Sequence, residues 1–284
     1  MSFIPLLAAF LLPAQQLLTQ SVDSRISNER NASLDRFLNY PRDGRRGLSR
    51  PNPAFWARDV DLTCASPWNS IGGNFRACTL ISKRHVITVR HYPIDPGATV
   101  YFVDAVGNVH SRRVTGVRKF AEDDTDIMVG VLDAEVPEGI HPAKILPEDY
   151  AKYIGNGEGL PVATFSYNEQ FVVTELRAIP ANRYMNIKCS MRIPEFIRSR
   201  LISEGPRAKF CKLLDQGDCG NPAFLIAGTV PILIYCDTTN NASSGPQIHL
   251  YRKEIQAAMD ELCPGYKLEV YDFDVCGKMC QPLK

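Results

Sequence analysis

Apolar and β-branched residues recur in short runs along most of this chain, separated by turn residues. The runs Ala77–Ile81, Val86–Val89, Thr99–Val103, Val109–Val114 and Ile127–Leu132 each have the length and Val/Ile/Thr content of a strand. Asp104 to Asn108, with Gly107, reads as a hairpin turn between two of them. A connector over Pro147–Gly159 follows, then a second series: Pro161–Phe165, Phe171–Ile179, Asn186–Met191, Ala223–Ile226 and Pro231–Tyr235. Gly228 marks the turn between the last two. Two groups of strands suggest two β-barrels in succession. The pattern changes over Arg252–Leu262, where Ile255, Ala258, Met259 and Leu262 fall on one face of a helix.

The two ends of the chain read differently. Ile4–Ala14 is an apolar run too short to span a bilayer of about 30 Å, and it fits a secretory signal over residues 1–20, cut after Ala14. Residues 21–58 are polar and hold eight arginines (Arg25, Arg30, Arg36, Arg42, Arg45, Arg46, Arg50 and Arg58). With few periodic apolar positions they read as a propeptide or flexible arm, and Arg45-Arg46 offers a processing site. The body then divides into a first barrel over 59–150, a second barrel with its helix over 151–262, and a cysteine-containing tail over 263–284.

Composition sharpens this picture. At 284 residues and 45% hydrophobic the chain can bury two cores, and 20 prolines with 19 glycines suit a turn-rich all-β fold. A formal net charge of +1 gives no reason to expect nucleic acid or an anionic membrane as partner. Nine cysteines suit an exported protein, secreted or periplasmic, with disulfide bonds. Cys64, Cys78, Cys189, Cys211, Cys236, Cys263, Cys276 and Cys280 are the candidates for pairing, with Cys219 left as the odd thiol. Cys276 and Cys280 invite a metal or redox reading. No nearby histidine completes a zinc set, and no βαβ pattern surrounds the pair, so neither metal nor cofactor is expected. Asn31-Ala32-Ser33 and Asn241-Ala242-Ser243 are glycosylation acceptors in a suitable host.

The candidate chemistry centres on Gln216-Gly217-Asp218-Cys219-Gly220-Asn221-Pro222. Glycines on both sides of a cysteine allow a tight turn that presents the thiol beside inward-facing N–H groups. Upstream, Thr79-Leu80-Ile81-Ser82 leads into Val86-Ile87-Thr88-Val89-Arg90-His91, and Asp124-Thr125-Asp126 opens the run Ile127–Leu132. His91, Asp126 and Cys219 are separated by 35 and 93 residues. The turn resembles the Gly-Asp-Ser-Gly-Gly-Pro turn of chymotrypsin-like proteases with serine replaced by cysteine. The two upstream stretches resemble those that deliver that family's histidine and aspartate, in the same chain order. The resemblance covers roughly residues 60–262.

It implies two six-stranded Greek-key barrels, a closing helix packed on the second, and a polypeptide substrate. It assigns Cys219 as nucleophile, His91 as base and later acid, and Asp126 as the group orienting the imidazole. Gly217 and Cys219 would supply oxyanion-hole N–H groups, and Leu213 and Gln216 would meet substrate. Leu213 falls at the base of the primary specificity pocket, implying an apolar or small residue at the cleaved position. His85, at the start of its strand, reads as a solvated turn residue, and Asp123 and Asp124 as loop charges. Tyr92 stands where animal trypsins carry a bridging cysteine, and the Ile-Val-Gly-Gly start of those enzymes is absent, so Asp218 needs another partner. The expected activity is therefore that of an endopeptidase working through an acyl-thioester. The alternative is a catalytically inactive relative acting as a binding or scaffold module.

Overall fold

The computed structural model describes residues 13–27, 31–38, 50–67, 69–71, 74–120, 125–166, 169–187, 191–238 and 243–274. Helix α1 (Pro13–Ser27) opens this part of the chain. A two-stranded ribbon, β1 (Asn69–Ile71) and β2 (Asn74–Arg76), precedes a five-stranded antiparallel sheet. That sheet contains β3 (Thr79–Leu80), β4 (His85–Thr88), β5 (Thr99–Val103), β6 (Val109–Lys119) and β7 (Met128–Leu132), in the order β3-β4-β7-β6-β5.

The second sheet has seven strands. It draws on β8 (Lys144–Ile145), β9 (Pro161–Phe165), β10 (Phe171–Ala178), β13 (Phe196–Arg200), β14 (Pro222–Ala227), β15 (Val230–Cys236) and β16 (Ser244–Pro246), in the order β16-β13-β10-β9-β14-β15-β8. Between β10 and β13 a separate hairpin pairs β11 (Tyr184–Ile187) with β12 (Met191–Pro194). The short α2 (Ala151–Ile154) links the two halves, and α3 (Arg252–Leu262) follows β16. The molecule is thus mostly β-sheet with few helices. Its two main sheets hold five and seven strands among the described residues, not the expected six and six.

Alternation along β14 explains how the second sheet is buried on both faces. Phe224 and Ile226 join a core shared with the first sheet, with Val86, Phe102, Val129, Phe165 and Phe171. Ala223, Leu225 and Ala227 point the other way, into a core with Leu18 of α1, Ile154 of α2, Val162 and Leu176. Helix α3 seals the first core with Ile255, Ala258 and Met259, the face its spacing predicts.

The N-terminal region departs from expectation. Leu18 and Val22 of α1 are fully buried, Ser21 Oγ accepts the Gly228 N–H at 2.8 Å, and Arg207 meets Asp23 at 2.6 Å. The expected signal peptide therefore overlaps a packed helix from residue 13, and residues 1–12 lie outside the described ones. Residues 31–38 and 50–58 are not a free arm either. Trp56 stacks on Phe171 with ring centroids 5.3 Å apart and donates its indole N–H to the Phe171 carbonyl at 2.7 Å. Arg36 is buried and donates to the carbonyls of Leu62 (2.8 Å) and Ala65 (3.1 Å), with Glu169 3.8 Å away. Widely spaced large side chains anchor this segment without a period, which is why its polarity reads as disorder. Arg45-Arg46 and the sequon asparagine Asn241 lie outside the described residues.

The cysteines differ too. Cys64, Cys78, Cys211, Cys236 and Cys263 carry free thiols, as does Cys219, so the pairing expected among these five is not formed. Burial comes first in pushing the Cys64 and Cys78 thiols up to about 12, which keeps them protonated and inert. Cys189, Cys276 and Cys280 lie outside the described residues. Among the described residues no helix is long and apolar enough to cross a membrane.

Candidate active site

Strand β4 is buried at every position and carries the chain from the turn Ser82–Arg84 across the first sheet. His91 follows three residues after its end. Strand β7, paired antiparallel to β4 with Thr88 opposite Met128, begins two residues after Asp126. Antiparallel pairing therefore brings the end of one strand and the start of its neighbour together, with His91 and Asp126 beside each other.

The contact is made twice. The Asp126 Oδ1 accepts the backbone N–H of His91 at 2.9 Å, and Oδ2 lies 2.5 Å from His91 Nδ1. Burial opposes ionisation of Asp126, but these hydrogen bonds outweigh it and hold its carboxyl below the usual value. The imidazole responds in the opposite sense. Its hydrogen bond to Asp126, then its hydrogen bond to the Cys219 thiol, raise His91 to about 10. His91 thus touches both other members of the predicted trio and favours its cationic form at neutral pH.

Cys219 enters from the second sheet, on the turn just before β14. Gly217 has φ +112° and Gly220 φ +92°, conformations that glycine adopts readily. Gly220 is further required by space. A Cβ there would lie 2.5 Å from Thr88 Oγ1 and 3.0 Å from the Ala77 carbonyl, so the turn presses directly on the first sheet beside His91's strand. Hydrogen bonds from the N–H groups of Asp218, Gly220 and Asn221 to Asp215, Asp237 and Asp218 shape the turn. Among the described residues the Cys219 N–H is not engaged in this way, which leaves it available to an incoming oxyanion. Asp218 is fully buried and its Oδ2 accepts the Asp215 N–H at 2.8 Å, a partner supplied by the turn itself.

Two expectations are corrected. Leu213 is 57% exposed and does not form the base of a pocket, whereas its neighbour Leu214 is buried. Gln216, expected to meet substrate, is exposed on the same turn. His85 is not a solvated turn residue. It is fully buried, Ser82 Oγ lies 2.8 Å from its Nδ1, and burial first of all pushes it down to about 4. Asp123 and Asp124 lie outside the described residues.

Sequence reading also missed Thr238. Its carbonyl lies 3.8 Å from the Cys219 sulfur as acceptor, and its side chain hydrogen-bonds Asp126. It therefore ties the nucleophile to the orienting carboxylate from the end of β15. Nothing local marks this threonine. A cavity of about 310 Å³ lies elsewhere, walled in part by Phe37, Phe55, Leu62, Val103 and His141, and none of His91, Asp126 and Cys219 lines it. Among the described residues no group of three or more His, Cys, Asp and Glu gathers as a metal site. No protein-family model matches the chain and no curated protein matches its sequence.

Proposed function

We propose that this chain is an endopeptidase of the chymotrypsin type with a cysteine nucleophile, its two sheets forming paired Greek-key barrels. The observation that carries the reading is the Asp126 carboxylate 2.5 Å from His91 Nδ1, on an imidazole that the Cys219 thiol also acts on. Two strand ends and a glycine-flanked turn, far apart in sequence, supply the three groups in the order His, Asp, Cys.

The chemistry follows from that contact. The Cys219 proton resides on His91, so the pair rests as thiolate–imidazolium with Asp126 balancing the imidazolium charge. The sulfur adds to the peptide carbonyl carbon, and the C=O electron pair moves onto oxygen beside the N–H groups of Cys219 and Gly217. When that pair returns, the C–N bond breaks and the imidazolium protonates the departing amine. A water then gives a proton to His91 and attacks the thioester, and the sulfur leaves as thiolate.

Iodoacetamide tests the first step. One cysteine, Cys219, is expected to react rapidly near neutral pH, and about 10²-fold more slowly in His91→Ala. The same variant should lose cleavage of a mixed peptide library. Labelling no faster than a free model thiol, unchanged in His91→Ala, would reject the peptidase and leave a binding module with an inert cysteine.

A further inference from the structure

The nucleophile turn hangs on a long irregular stretch. Between the end of β13 at Arg200 and the start of β14 at Pro222, a short 3-10 helix, Pro206–Phe210, is the one regular element among the described residues. A stretch of this kind takes its shape from the side chains docked along it rather than from a hydrogen-bonded ladder. What docks on it comes from the other end of the chain.

Arg207, Phe210 and Lys212 are each held. Arg207 forms a bidentate pair with Asp23 of α1, donating Nε to Oδ1 at 2.6 Å and Nη2 to Oδ2 at 2.8 Å. It also reaches the Gly159 carbonyl at 3.3 Å and lies 4.0 Å from Glu175. Phe210 is buried and sets its ring edge-on to Trp56, with centroids 6.1 Å apart. Lys212 Nζ donates to Gln170 Oε1 at 2.7 Å, and Gln170 Nε2 donates to Asp35 Oδ1 at 2.8 Å. Asp23, Asp35 and Trp56 all fall within 21–58, the region that reads in sequence as a propeptide or arm. From Lys212 the chain runs directly to Asp215. The Asp215 N–H donates to Asp218 Oδ2 at 2.8 Å, and its carbonyl accepts the Asp218 N–H at 3.1 Å. Asp218 adjoins Cys219, so the docked stretch leads straight into the turn that carries the thiol.

We propose that Asp23 and Asp35 are positioning residues: they seat the stretch Pro206–Lys212, and through it the turn that sets the Cys219 thiol against His91. This rests on the peptidase reading above. His91 is already fixed by Asp126 through both its ring and its main chain, so the seating of the turn decides how the sulfur meets the imidazole. Two aspartates facing an arginine and a glutamine-bridged lysine, with a ring contact between them, define one seating. Region 21–58 is then part of the working enzyme. Its loss switches the site off, where loss of a propeptide would switch it on.

Iodoacetamide labelling of Cys219 in the full chain tests this, with Asp23→Ala/Asp35→Ala as the variant. Both aspartates reach the surface, the Asp23 side chain being 40% exposed, so the double variant should remain folded. Its labelling near neutral pH is expected to slow about fivefold, and peptide cleavage to fall with it. Asp23→Glu/Asp35→Glu keeps both carboxylates and should label like wild type. In a His91→Ala background the two alanines should slow labelling no further, because they act through the thiol–imidazole contact. Wild-type labelling by the folded double-alanine variant, or equal slowing with and without His91, overturns the inference and leaves the two aspartates as surface anchors. Should the variant fail to fold, hydrogen exchange of the wild-type protein in rising urea decides. Loss of protection at the Asp215, Asp218 and Gly220 amides together with α1 supports the proposal, and loss at separate urea concentrations overturns it. Labelling of His91→Ala as fast as wild type would instead sink the peptidase reading itself.

Discussion

A methyl group has no room at Gly220. Thr88 Oγ1 and the Ala77 carbonyl would both fall within 3.0 Å of it, and φ is +92°. Gly220→Ala should therefore destabilise the protein by about 2 kcal/mol or more, read as a shift of the urea midpoint. Iodoacetamide labelling of Cys219 should slow in parallel, because the turn that presses the thiol toward His91 must move. His91 itself gives a pH signature. Its pKa rises from 6.5 to about 10 on folding, so its contribution is fully present below about 6.5 and disappears as pH rises through about 10. Asp126→Ala removes the main cause of that rise. The variant should be less stable than wild type at pH 6, and the gap should close near pH 10. A gap constant across that range would mean that the His91 charge adds nothing to the stability of this contact, leaving only the backbone N–H bond to Asp126.

Helix α1 tests how far the N-terminal segment belongs to the folded body. Leu18 is fully buried between α2 and the outer face of β14, and Leu18→Ala is expected to cost about 2–4 kcal/mol in chemical unfolding. A loss under 0.5 kcal/mol would show that the helix rides on the sheet without supporting it. The same helix shows where sequence reading stops. Strands β5 and β9 and helix α3 coincide with their expected ranges, because each carries its own repeating apolar face. Strands β8, β13 and β16 were not legible. Lys144–Ile145 and Ser244–Pro246 are too short for a period, and Phe196–Arg200 alternates with arginine and serine. Their strand character comes from the neighbours they pair with. The expected strand Asn186–Met191 straddles two strands of a hairpin, β11 and β12. The site divides in the same way. Short motifs marked His91, Asp126 and Cys219, whereas Thr238 and Asp237 join them only through the register of β14 and β15, and no local pattern specifies that register.

At the scale of the whole molecule, two buried histidines set how the protein meets acid. His85 is enclosed beneath α3 with the Tyr266 ring 5.4 Å away, and His249 packs edge-on against Tyr150 at 5.0 Å. Neither ring nitrogen of His249 has a hydrogen-bond partner among the described residues. Burial pushes both side chains down to about 4 from an ordinary 6.5. Their folded pKa values are depressed, so the unfolded chain binds more protons between those limits. Their neutral packing is fully stabilising above about pH 6.5 and fades as pH falls toward 4. His85 seals the first core against α3, whereas His249 lies against the second, so acid loosens both at once. His249→Phe keeps the aromatic contact with Tyr150 and cannot be protonated. Between pH 7 and pH 4.5 the variant should lose less stability than wild type, by on the order of 1–2 kcal/mol in urea unfolding. Depressed carboxylates such as Asp126 lose stability equally in both proteins, so the difference isolates the histidine. Parallel losses in the two proteins would show that protonation of His249 does not contribute to acid sensitivity, leaving it to His85 and the carboxylates.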